Sequence, residues 1–66
     1  MSKTVTLQLS EDEAEILVDA LESDLEGYVE AARDARANRN HNEVATFTAA
    51  SERIGTVLKK VQALIP

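Results

Sequence analysis

The only proline of this chain is its last residue, Pro66. From Ser10 onward, nothing therefore removes a backbone donor or clashes with a preceding turn. Gly27 and Gly55 are isolated; each costs a helix interior about 1 kcal/mol against Ala without ending it. The one clear interruption is Asn38-Arg39-Asn40-His41-Asn42. Asparagine side chains bond to neighbouring backbone groups and so favour turns and caps. The pattern predicts helix 1 over 11–37, a turn at 38–41 and helix 2 over 42–65, with Pro66 unable to continue it. So short a connection between long helices implies an antiparallel hairpin.

Ser10-Glu11-Asp12-Glu13 reads as a capping box, with Leu9 and Ala14 at the staple positions. Three acids in the first turn also suit the helix dipole. Ala14, Val18, Leu21, Leu25, Tyr28, Ala32 and Ala35 recur at alternating spacings of four and three, a heptad seam of coiled-coil type. On helix 2 the seam is Phe47, Ala50, Ile54, Val57, Val61 and Leu64, widened by Leu58 and Ile65. Asn40 and Asn42 compete to cap this helix. Near the turn the facing residues are alanines: Ala31, Ala32 and Ala35 against Ala45, Ala49 and Ala50. Away from it they are large: Leu17, Val18, Leu21 and Leu25 against Ile54, Val57, Leu58, Val61 and Leu64. The helices are expected to approach closely at the tip and splay at the base.

Residues 3–9, Lys-Thr-Val-Thr-Leu-Gln-Leu, alternate with the period of a half-buried strand. Val5, Leu7 and Leu9 share one face, and Thr4, Thr6 and Gln8 the other. A lone strand leaves its backbone groups unpaired. Pairing with a second copy would satisfy them. Length points the same way, because a domain near 60 residues buries only about 60% of its unfolded surface. With no cysteine among 66 residues, neither a disulfide nor a cysteine metal site can compensate. The expected fold is mainly α: one short N-terminal strand, then a long helical hairpin. It is expected to assemble as a homodimer through paired strands, a four-helix bundle or both. The oligomer interface is expected at Val5, Leu7, Leu9, Leu17, Leu21, Leu25, Leu58, Val61 and Leu64.

Seven basic and twelve acidic residues give a net charge of −5. The layout is uneven. Residues 1–30 hold one cation and nine anions, and residues 31–66 hold six cations and three anions. Glu15, Asp19, Glu22, Glu26 and Glu30 fall within a narrow arc of helix 1, opposite its seam, at about 100° per residue. Like charges four apart oppose each other. This arc is a solvated face or a docking face for a basic partner. Arg33, Arg36 and Arg39 bracket the turn, where cations suit the C-terminus of helix 1. Lys59 and Lys60 lie near the other end, so the cations form no single patch for nucleic acid. His41, the only histidine, sits in the turn without a nucleophile or carboxylate arranged around it. A second line, Ile16, Ala20, Ser23, Gly27 and Ala31, with Thr48, Ser51 and Gly55 on helix 2, suits close approach of another helix or an unconstrained surface.

No Gly-rich phosphate loop, paired catalytic carboxylates or metal-ligand spacing is present, so the expectation is no enzyme, no cofactor and no metal. No apolar run approaches the roughly 18 residues of a membrane span. The start, Met-Ser-Lys-Thr-Val-Thr, lacks the layout of a signal peptide, which makes the expected location cytoplasmic.

Thr4 to Leu21, TVTLQLSEDEAEILVDAL, resembles the opening of ribbon-helix-helix transcription regulators. The resemblance implies strands paired across a dimer, with Thr4, Thr6 and Gln8 as base readers in the major groove. Helix 1 as read here is about twice as long as the family's, and only Lys3 is basic near the strand. Two functions follow. The leading one is a small acidic protein, of the style of bacterial or phage accessory and regulatory proteins, that binds another protein as a homo-oligomer. The alternative is a DNA-binding regulator or antitoxin of ribbon-helix-helix type.

Overall fold

A computed structural model describes residues 3–65. The chain is mainly helical: α1 spans Glu11–Ala37 and α2 spans His41–Gln62, and the two pack as a hairpin. Pro66, expected to stop the second helix, lies outside the described residues.

The start of α1 is fixed locally. The Glu13 backbone N–H donates to the Ser10 hydroxyl oxygen at 3.1 Å, and the Ser10 N–H donates to Glu13 Oε1 at 2.9 Å. Both halves of the capping box are thus closed. Hydrogen bonding from Ser10 to the Glu13 carboxylate, by its backbone N–H first and its hydroxyl second, holds that carboxyl below its ordinary pKa.

α1 ends in a Schellman motif. The Asn40 N–H donates to the Ala35 carbonyl at 2.9 Å, and the Arg39 N–H to the Arg36 carbonyl at 3.1 Å. The residue between cap and exit adopts left-handed backbone, and here that residue is Arg39, with φ 58°. Glycine normally fills this position, because a Cβ there crowds the carbonyl that follows. Asn40 then caps α2, its side-chain oxygen accepting the Glu43 N–H at 3.2 Å. α2 therefore begins at His41, one residue before the expected start. It also stops at Gln62 rather than 65. The last turn tightens, with the Leu64 N–H on Val61 and the Ile65 N–H on Gln62, as helix ends do when their carbonyls have no further partners.

In the single chain the strand expected over 3–9 is not seen. Residues 3–10 have no regular structure, and no strand occurs among the described residues. The physical reason is the one that made a lone strand costly: nothing else in the chain offers a ladder of backbone groups. Nor do the alternating apolar residues insert between the helices. Leu9 is half-buried, but Val5 and Leu7 are 85% and 65% exposed.

Two helices make one layer, and one layer encloses little. The buried core among the described residues is Ala14, Ala32, Ala35 and Leu58. Near the tip the alanines let the helices meet, with Tyr28 and Phe47 in a tilted contact at a 6.1 Å centroid separation. Toward the base, Leu17, Val18, Leu21, Leu25, Ile54 and Val61 are only half-buried. The radius of gyration is 14.3 Å, against about 11 Å for a compact domain of this length.

Three outcomes test this account. Ser10→Ala lowers unfolding free energy by about 1 kcal/mol in urea titration. The Glu13 contribution is present above the ordinary carboxylate pKa and lost as pH falls through the depressed folded value. The helicity difference between the wild type and Glu13→Gln, followed by circular dichroism, therefore closes on acidification. Arg39→Gly relieves the left-handed Cβ clash and raises stability by about 1 kcal/mol in the same titration.

Candidate functional site

With so thin a core, the surfaces carry the chemistry. Each helix leaves an apolar flank open. On α1, Val29 is 45% exposed, and beside it runs a groove of about 320 Å3 lined by Leu25, Glu26, Val29, Glu30 and Arg33. On α2, Val57 is 46% exposed, and Leu64, in the turn that follows the helix, is 59% exposed.

The expected acidic face is in place as a surface: Glu15, Asp19, Glu22, Glu26 and Glu30 are all exposed. Glu26 and Glu30 line the same groove as Leu25 and Val29, so the charged arc and exposed apolar surface share one flank of α1. Helical spacing showed the arc but not the groove. The signal that was available is Val29, an aliphatic residue just outside the heptad seam and three residues after Glu26. Arg33, Arg36 and Arg39 are exposed at the tip, as is His41. Arg33 also closes one end of the groove.

The expected interface residues divide. Val5, Leu7 and Leu64 are exposed; Leu9, Leu17, Leu21, Leu25 and Val61 are half-buried. Leu58 is different. It is buried within the hairpin and belongs to the core of the single chain, because it sits between Ile54 and Val61 on the inner line of α2. Thr4, Thr6 and Gln8 are exposed in a segment without a ladder, and α1 runs through Gly27 without a turn. The ribbon-helix-helix resemblance implies a shorter helix than that.

Polar contacts stay local. The side-chain hydrogen bonds of the described residues link positions three or four apart, within one helix or its cap, and none joins α1 to α2. Among those residues no group of three His, Asp or Glu side chains is placed to hold a metal ion, and no helix is long and apolar enough to cross a membrane.

A Cβ built on Gly27 or Gly55 meets nothing within 4 Å. The close approach that would demand a glycine is therefore not made inside the hairpin. Ile16, on the same small-residue line as Gly27, is 67% exposed. Gly27→Ala raises the stability of the lone hairpin by about 1 kcal/mol, measured by urea titration at low protein concentration.

No family model matches the chain, and no curated protein or solved structure is similar enough to it to match.

Proposed function

We propose that the chain is a small, non-catalytic, cytoplasmic interaction protein that works as a homodimer of helical hairpins. Its exposed acidic flank on α1 is the surface turned to a basic partner. One observation carries the reading. The solvent-accessible surface is 5538 Å2 for 7.2 kDa, whereas a folded monomer of that mass shows about 4,100 Å2. The excess, about 1,400 Å2 on one chain, is more than the roughly 800 Å2 that each partner buries in a standard interface.

The N-terminal segment supplies one element of that assembly. Residues 3–9 of two copies pair as strands, which satisfies the backbone groups a single copy leaves open. Pairing also covers Val5 and Leu7. The half-buried aliphatic residues of the hairpin base supply the rest, since each gains burial when a second hairpin docks.

Sedimentation equilibrium at micromolar concentration tests the assembly. The expected result is a mass of at least two chains, with a Tm that rises with protein concentration. Leu7→Ser weakens association while leaving the helicity of dissociated chains unchanged, because Leu7 makes little contact within one copy. A monomer with a concentration-independent Tm overturns the reading.

A further inference from the structure

The two open flanks match each other in chemistry. The α1 groove is lined by Leu25 and Val29 together with Glu26 and Glu30, and Glu22 lies one turn before. The α2 flank carries Val57, with Arg53 and Lys60 exposed alongside and Leu64 exposed just past the end of the helix. Acid borders one apolar strip and base borders the other. No side-chain hydrogen bond of the described residues ties up any of these five charged groups.

Within one chain the strips cannot meet. Helical periodicity of about 100° per residue places Val29 roughly a quarter-turn forward of the buried line of α1, and Val57 about as far backward from Leu58 on α2. In antiparallel helices, forward on one and backward on the other lead to opposite broad faces of the layer. The strips therefore look away from each other, one on each side of the hairpin.

The geometry points to a second copy as the occupant: the basic flank of α2 from one chain lies in the acidic α1 groove of the next. This rests on the reading that the protein self-associates and that the α1 flank takes a basic partner, and it names that partner. Two different patches on opposite faces make a heterologous contact, which repeats from copy to copy until it closes in a ring or continues as a chain. Arg33 at the tip end of the groove repels an incoming cation. The cations of the partner helix therefore sit along Glu22–Glu30 rather than beside it.

The test uses two charge-reversed full-length chains, Glu22→Lys/Glu26→Lys/Glu30→Lys and Arg53→Glu/Lys60→Glu, studied alone and mixed in equal amounts by sedimentation equilibrium. The wild type is expected to gain mass beyond two chains as concentration rises. Each reversed chain alone places like charge on both strips and loses that growth. The mixture restores it, since the all-basic strips of one chain face the all-acidic strips of the other. Restoration in the mixture also shows that both variants are folded. A wild-type mass that levels off at two chains overturns this contact and leaves the homodimer standing. Growth that persists unchanged in each reversed chain alone, or fails to return on mixing, overturns it as well. A monomeric wild type overturns both.

Discussion

Two helices side by side can bury one stripe each and no more. Everything else about this protein follows from that limit. A third layer would turn Leu17, Val18, Leu21 and Leu25 into a core, but within the chain they remain half-exposed and the buried positions among the described residues are three alanines and one leucine. Alanine burial gains little from the hydrophobic effect, because the side chain is one methyl group. It does let the helices come close enough near the tip for Tyr28 to reach Phe47. Burial is thus greatest at small side chains, while most of the large ones stay partly exposed.

The ends of the helices offset part of this weakness with local bonds. Ser10 and Glu13 close one terminus reciprocally, and the Schellman bonds of Asn40 and Arg39 close the other. These contacts depend on neighbours in sequence and not on the packing between helices. They define α1 sharply even though its long-range support is thin. The left-handed Arg39 is the exception within the scheme. A charged residue stands where glycine would be easiest, and it adds a cation to a tip that already carries Arg33 and Arg36.

What could be read from residues alone follows the same division between local and distant causes. The capping box occupies four consecutive positions and acts within one turn, so Ser10 was legible as a helix start. The asparagine cluster marked the turn for a similar reason. Arg39 carried no mark, since only the exact register of the Schellman bonds puts it in left-handed space. The alternation over residues 3–9 shows which side chains share a face, but pairing needs a neighbouring strand, and the described residues of one chain hold none. Leu58 was read both as facing helix 1 and as part of an oligomer interface, because a widened apolar stripe does not say which of its columns points inward. The groove beside Val29 needed coordinates, as periodicity gives directions and not depth.

The turn also bears on time. With a three-residue link, contacts such as Tyr28 to Phe47 join positions only nineteen apart, and topologies this local fold in microseconds to milliseconds. A layer so sparsely buried also opens quickly, as there is little packing to undo. Anything that binds the closed hairpin and not the open chain stabilises it by mass action, and more so as its concentration rises above the dissociation constant.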